Sequence, residues 1–284
     1  MFITNDVSLI TFVPMTLTVL GMAGEEVLTR WMVPVITLQT IAANLGSMLT
    51  PIGNPQNLYL YGLAGISAGR FVLLMLPYTV ASAALLVICV IVCMKGKNRQ
   101  LEIRLSDGDV QVDRKLVGIY CILFVLSLLT VARIVPYWVT FAVVLVVVLI
   151  CQRRLLLKVD YSLIFTFVGF FVFIGNMGRI EEFRTFVESV LGGHEMITSV
   201  LASQVISNVP AAVLLSGFTD RYTDLIVGTN LGGLGTLIAS MASLISFKYV
   251  ARQDKGARGR YLVYFTFANV LFLVVLICMW EIIF

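Results

Sequence analysis

Two stretches of this chain are apolar enough to enter a lipid bilayer, yet each is interrupted by nearly the same polar sequence. Asn44-Leu45-Gly46-Ser47-Met48-Leu49-Thr50-Pro51-Ile52-Gly53 breaks the segment 31–61, and Asn230-Leu231-Gly232-Gly233-Leu234-Gly235-Thr236-Leu237-Ile238-Ala239 breaks the segment 225–247. Upstream of each copy, a hydroxyl residue followed by Asn marks a second polar interruption, Thr4-Asn5-Asp6 and Ser207-Asn208-Val209. Backbone N–H and C=O groups freed in hydrocarbon are costly, so a broken helix persists only where it is buried in protein or lines a cavity. A duplicated break at membrane depth predicts a binding site at the midplane, where two halves meet.

Composition supports a lipid solvent: 59% of residues are hydrophobic and 13% charged, with a mean hydropathy of +0.98, against about 25% charged in a soluble domain. Further apolar runs at 71–94, 116–132, 136–151, 161–176 and 262–284 are near or above the roughly 17 to 25 residues that cross a bilayer. An all-α polytopic membrane protein follows, with no room for a separate soluble domain. The five cysteines lie in or beside these runs without metal-ligand spacing and read as packing residues. The net charge of +4 does not point to nucleic acid, because the charges gather at helix ends.

Those charges report orientation. Lys95 to Lys115 holds six of the 20 basic residues, Arg153 to Lys158 three and Lys248 to Arg260 five. Placing all three clusters on the cytoplasmic side by the positive-inside rule sends 31–61 outward and 225–247 inward, so the two broken segments are inverted. Residues 179–195, with Ile180, Phe183, Phe186, Val187 and Val190 at helical spacing, predict an amphipathic helix on the outer surface. Residues 196–206 and 211–218 are each too short to span and flank Ser207-Asn208-Val209-Pro210, which predicts a re-entrant hairpin. The fold expected is therefore a pair of inverted-topology repeats with re-entrant hairpins and two discontinuous helices. Residues 1–94 form a partial N-terminal repeat, 95–115 a cytoplasmic linker and 116–284 the C-terminal repeat.

The breaks carry the chemistry. Pro51 and Pro55 remove backbone donors and Gly53 admits conformations other residues avoid. Carbonyls there, with Asn44, Gly46, Ser47, Thr50, Asn54 and Asn57, suit a small hard cation, while a half-helix N-terminus favours an anion. Gly232, Gly233 and Gly235 give the second copy the same freedom beside Thr229, Asn230, Thr236 and Ser240. Asn5, Asn44, Asn208 and Asn230, four amides at matched inverted positions, are costly as mere packing aids. Asp6, a carboxylate beside the apolar run 7–19, reads as a proton or cation site. His194, Glu281 and the acidic stretch Asp107 to Asp113 read as interfacial or solvated residues without a role.

At Thr4-Asn5-Asp6-Val7, Ala43-Asn44-Leu45-Gly46-Ser47 through Thr50-Pro51-Ile52-Gly53-Asn54-Pro55-Gln56-Asn57, Ser207-Asn208-Val209-Pro210 and Gly228-Thr229-Asn230-Leu231-Gly232-Gly233, the chain resembles the ion transporter superfamily, in its citrate-transporter-like, arsenite-exporter-like and NhaD-type branch. The resemblance implies two re-entrant hairpins, two unwound helices and an elevator-type movement of a core past a scaffold. It also implies that Thr4-Asn5-Asp6 and Ser207-Asn208-Val209 are hairpin tips which bind cation and substrate with the broken helices. The first tip has only three residues before it, so the first repeat is expected to be incomplete, and an upstream segment of roughly 70 to 90 residues is expected to match the second repeat.

The function expected is secondary active transport of a small anion or oxyacid coupled to Na+ or H+. The rivals are a Na+/H+ antiporter using Asp6 and an incomplete, non-transporting membrane subunit. No His/Glu metal pair or Ser/His constellation marks an enzyme in the apolar segments. No cofactor is expected beyond the coupling ion, and the partners expected are a small anion, the bilayer and a second copy in a homodimer. No Lys or Arg lies inside a predicted break, which favours a weakly charged or monovalent cargo. The location expected is the inner membrane of a prokaryotic cell.

Overall fold

The computed structural model describes residues 4–94, 114–159 and 161–283. Among them it contains thirteen α-helices and two 3-10 turns, with no strand. By packing, the chain divides into two compact units, residues 1–104 with 170–284 and residues 105–169. The expected linker 95–115 lies outside the described residues as far as 113, as does the acidic stretch within it.

The first helices follow from local signals. Thr4 caps α1 (Asn5–Met22), its hydroxyl accepting from the Val7 N–H. Glu25 and Glu26 open α2 (Glu25–Ser47), where carboxylates complement the positive end of the helix dipole. A 3-10 turn at Pro51–Gly53 leads to α3 (Pro55–Ala64), which starts on a proline and ends at Gly65 in the left-handed conformation. The long apolar helix α4 (Ala68–Met94) follows.

In the smaller unit, α5 (Arg114–Val131) and α6 (Tyr137–Gln152) form an antiparallel pair. The Tyr120 hydroxyl donates to Gln152 Oε1 at 2.9 Å, and the Thr130 and Thr140 hydroxyls meet at 2.5 Å. Such pairs, worth roughly 0.6 kcal/mol each in lipid, fix helix register. A 3-10 turn at Arg153–Lys158 then leads into α7 (Tyr161–Met177).

The larger unit resumes with the amphipathic helix α8 (Glu181–Leu191), whose Val187 and Leu191 are buried and whose Arg184 and Glu188 pair on the exposed face. Helices α9 (Glu195–Ile206) and α10 (Asn208–Leu215) are the predicted hairpin, joined by the single residue Ser207. Ser207 sits at φ 74°, a conformation that costs a non-glycine residue of order 1–3 kcal/mol and persists only when its surroundings impose it. The chain continues through α11 (Tyr222–Leu231), α12 (Met241–Gln253) and α13 (Ala257–Ile283). Leu9 and Val13 of α1, Met32, Val33 and Ile36 of α2, Ala242 and Val250 of α12 and Ala257, Tyr261 and Phe265 of α13 form a buried core. Helices α1, α4, α5 and α13 and the segment Tyr137–Leu157 are each long and apolar enough to cross a membrane. The chain is a multi-pass integral membrane protein.

Two observations show the inversion. Arg260, just past the end of the second broken helix, donates to the Thr29 carbonyl near the start of the first, at 3.0 Å. At the opposite end, Ile66, Arg70 and Leu74, just past the first broken helix, line one small cavity with Thr223 and Asp224 at the start of the second. The start of each broken helix is thus level with the end of the other. Packing follows the same exchange: α1 lies on α12 as α10 lies on α3, and α2 on α12 as α11 on α3.

Candidate functional site

The two breaks share a closing turn and the extended residue that follows it, though Gly235 stands at φ 105° in the second and a 3-10 turn occupies Pro51–Gly53 in the first. After α2 ends, the Gly53 N–H donates to the Thr50 carbonyl at 3.1 Å; after α11 ends, the Ala239 N–H donates to the Thr236 carbonyl at 3.2 Å. The next residue is extended in both copies, Asn54 at φ −144°, ψ 150° and Ser240 at φ −144°, ψ 138°, and each heads the second half-helix. The sequence repeat therefore extends past Gly53 and Ala239, pairing Asn54 with Ser240 and Asn57 with Ser243.

The breaks interlock through amides. Asn44 Oδ1 accepts from Asn5 Nδ2 at 3.0 Å and from the Ser240 hydroxyl at 3.1 Å, and Asn44 Nδ2 donates to the Gly233 carbonyl at 3.4 Å. Asn230 Oδ1 accepts from Asn54 Nδ2 at 3.5 Å, while Asn230 Nδ2 donates to Asn57 Oδ1 at 2.6 Å and to the Ile226 carbonyl at 2.7 Å. Asn57 Nδ2 closes back on the Thr50 carbonyl at 3.3 Å. Asn5, Asn44, Asn54, Asn57, Asn208, Asn230 and Ser240 are all buried. The second hairpin tip joins through its backbone, the Asn208 N–H donating to the Ala239 carbonyl at 2.9 Å and the Ser207 hydroxyl to the same oxygen at 3.4 Å.

Other predicted site residues serve the frame around this cluster. The Thr229 hydroxyl returns to the Leu225 carbonyl, the Ser47 hydroxyl to the Asn44 carbonyl and the Thr236 hydroxyl to the Gln204 carbonyl. Thr4 caps α1. A side chain at Gly53 would collide with the Ser47 carbonyl, and one at Gly233 would press the Asn208 amide at 3.0 Å; Gly232 faces the Ser203 hydroxyl, and Gly46 has open space. Asp6 stands next to Asn5 with its Oδ1 buried and without a hydrogen-bond partner.

Gln204 on α9 is a determinant that sequence reading passed over. Its Nε2 donates to the Gly232 carbonyl at 3.0 Å and the Leu234 carbonyl at 2.9 Å, and its Oε1 accepts from the Thr236 N–H at 2.9 Å. One amide thus satisfies three backbone groups that the second break frees. No local pattern announces this, because the partners lie on another helix.

Four helices, α1, α3, α10 and α12, begin at this cluster, directing their positive ends toward it, while α2 and α11 end there. Among the described residues Asn54 Oδ1, Gln56 Nε2 and Ser243 Oγ are buried without a hydrogen-bond partner. The arrangement can hold a small polar guest, with N–H groups and dipoles for negative charge and amide and carbonyl oxygens for a cation.

The model of the citrate transporter family matches residues 1–219, which include both hairpin tips and the first break. The chain belongs to the citrate transporter family. Among its relatives in this group, an uncharacterized transporter of Methanocaldococcus jannaschii is 34% identical over 87% of this chain and 66% of its own length. The inner membrane protein YbiR of Escherichia coli is 29% identical over 87% of this chain and 65% of its own. A 46 kDa membrane protein of Mycobacterium leprae is 23% identical over 85% and 64% respectively. The chain spans about two thirds of the length of these curated relatives.

Proposed function

We propose that this protein is a secondary active transporter of a small anion or oxyacid, driven by Na+ or H+ and working by an elevator-type movement of the broken-helix core. The observation that carries the reading is the convergence of four helix N-termini on buried amides at the meeting point of two inverted breaks. Anions are stabilised at helix N-termini without a formal positive charge, and no Lys or Arg stands among the cluster residues. Alternating access is a movement of one body against another around such a midplane site. The family name makes citrate the first carboxylate to try. Asn5, Asn44, Asn54, Asn57, Asn208 and Asn230 are the residues assigned to cargo and coupling ion.

The test is thermal unfolding in detergent with citrate, acetate and arsenite, in Na+ and in K+ medium, followed by labelled uptake into vesicles. A ligand that binds the folded state alone raises its stability by RT ln(1 + [L]/Kd). An anion-dependent rise in melting temperature with matching uptake is expected, and no rise and no uptake with any of the three sinks the reading.

A Na+/H+ antiporter is the second reading, favoured by the buried, unpartnered Asp6 Oδ1. Na+-driven proton movement with no anion present, lost in Asp6→Asn, would select it over anion transport.

A further inference from the structure

The cavity at the end of the larger unit opposite Lys248 to Arg260 carries opposite charges on facing walls. It measures about 200 Å³ and is bounded by Arg70 and Leu74 of α4, Asp224 and Val227 of α11 and Trp280 of α13. On the acidic side one guanidinium serves two carboxylates. Arg221 reaches Glu195 at 3.0 Å and Asp224 at 2.7 Å, which leaves this group one negative charge in excess. Only Oδ2 of Asp224 is engaged among the described residues, and its side chain is 20% exposed. On the other side Arg70 lines the cavity and pairs with no carboxylate among the described residues. Cation and anion thus share one cavity without closing on each other. A small molecule that carries both an ammonium and an anionic group satisfies the two walls at once, whereas a plain anion meets repulsion from the acidic one.

The position of the cavity says where such a molecule comes from. Arg70 stands at the start of α4 and Trp280 near the end of α13, two helices long and apolar enough to span the membrane. Tryptophan at such an end lies at the level of the lipid headgroups, and the positive-inside rule makes this the outer leaflet. Leu73 beside Arg70 and Val274 on α13 are exposed, so apolar surface continues from the cavity toward the hydrocarbon. Tyr78, one turn past Leu74 on the same face of α4, is fully buried and its hydroxyl has no hydrogen-bond partner. Helical side chains lean toward the N-terminus, so this hydroxyl is directed toward the cavity floor.

We infer that the cavity is a headgroup site for a phospholipid with a primary amine, of which phosphatidylethanolamine is the type. Its phosphate meets the Arg70 guanidinium, its ammonium meets Asp224, and its acyl chains run beside Leu73. An ammonium has three N–H donors for a carboxylate oxygen. A choline headgroup has none, and a glycerol headgroup brings no positive charge to the acidic wall. Bound there, the lipid ties the start of the second broken helix to the span that follows the first. The inference is independent of the transporter reading.

The test uses the whole chain, stripped of lipid in detergent and titrated with phosphatidylethanolamine, phosphatidylcholine and phosphatidylglycerol of identical acyl chains. Retained lipid is read by native mass spectrometry, and melting temperature is followed in parallel. Phosphatidylethanolamine should be retained about ten-fold better than either of the others, the scale of one charged hydrogen bond, and should raise the melting temperature most. Arg70→Gln should lower its retention about ten-fold, and Asp224→Asn should bring it down to the level of phosphatidylcholine. Arg70 is exposed and unpaired, so its variant decides the matter should Asp224→Asn not fold. Equal retention of the three lipids by wild type, or undiminished retention of phosphatidylethanolamine by Arg70→Gln, overturns the site. Preference for phosphatidylglycerol overturns the role of the acidic wall and the inference with it. Glycerophosphoethanolamine, which has no acyl chains, should give no comparable rise in melting temperature; an equal rise would assign the cavity to a free zwitterion and overturn the lipid.

Discussion

The Ser240 hydroxyl donates to Asn44 Oδ1 at 3.1 Å across 196 residues of sequence, and its repeat counterpart Asn54 reaches Asn230 Oδ1 at 3.5 Å. Each second half-helix is therefore headed by a residue whose side chain grips the first half-helix of the other repeat. Neither break can change shape without releasing the other, which is a physical basis for two halves acting on one cargo.

The first prediction follows from that link. Ser240→Ala leaves Asn44 Oδ1 with Asn5 as donor, so the loss should be about 1 kcal/mol, the net value of one hydrogen bond. Asn44→Ala strands Asn5 Nδ2 and the Ser240 hydroxyl in a buried site and should cost about 2–6 kcal/mol, from roughly 1–3 kcal/mol for each orphaned group. In a double-mutant cycle read by denaturant unfolding in detergent, a coupling energy between the two of about 0.5 kcal/mol or more is expected. Simple additivity would show the contact to be energetically empty.

A second prediction separates two glycines of one motif. A Cβ on Gly53 collides with the Ser47 carbonyl, whereas nothing approaches a Cβ on Gly46. Gly53→Ala must open the first break and should cost about 3 kcal/mol or more, at the severe end for point mutants. Gly46→Ala, inside α2, should be neutral or stabilising by roughly 0.5–1 kcal/mol. Melting temperatures of the two purified variants decide it, and equal effects would refute the assigned roles.

How much of this was legible in the sequence follows from the solvent. Polar groups at membrane depth are costly, so Asn44, Asn208, Asn230 and the Gly-Pro breaks stood out against their apolar surroundings, and the hairpin at Ser207 and the inverted order of the broken helices could be read directly. Gln204 could not. It lies near Ser199 and Ser203 on an ordinary-looking helix, and its partners Gly232, Leu234 and Thr236 are fixed by tertiary packing alone. Likewise the sequence could not show that Thr229 and Thr236 spend their hydroxyls on helix and hairpin carbonyls, or that the repeat continues to Ser240 and Ser243, where residue types diverge while backbone and position persist.

Gln204 supplies the third prediction. Gln204→Leu keeps the volume but strands two carbonyls and one N–H beside Gly235, and should cost about 3 kcal/mol from three lost bonds of roughly 1 kcal/mol each. Gln204→Glu presents a carboxylate oxygen to the Gly232 and Leu234 carbonyls where an N–H now donates, and should be worse. Unfolding in detergent ranks the three proteins. A Glu variant as stable as wild type would show that Gln204 does not hold the break.

The base of the second hairpin gives the last. Glu195 at the start of α9 is buried, its side chain 7% exposed, and it accepts from Arg221 Nη1 at 3.0 Å and from the Thr219 hydroxyl at 3.4 Å. Arg221 is 54% exposed and also reaches Asp224 at 2.7 Å, so the pair as a whole is screened and contributes little net stability. The two partners differ in what their loss leaves behind. Arg221→Met strands a buried carboxylate and should cost about 3 kcal/mol, at the low end for a broken buried pair. Glu195→Gln removes that charge, keeps an oxygen acceptor for Arg221 while its Nε2 turns to donate toward the Thr219 oxygen, and should cost about 1 kcal/mol. Combining them should recover much of the Arg221→Met loss, because the stranded charge is gone. If the double variant is instead as unstable as the sum of the singles, the carboxylate is not what Arg221 neutralises, and Arg221 acts through its bond to the Gly193 carbonyl at 3.3 Å.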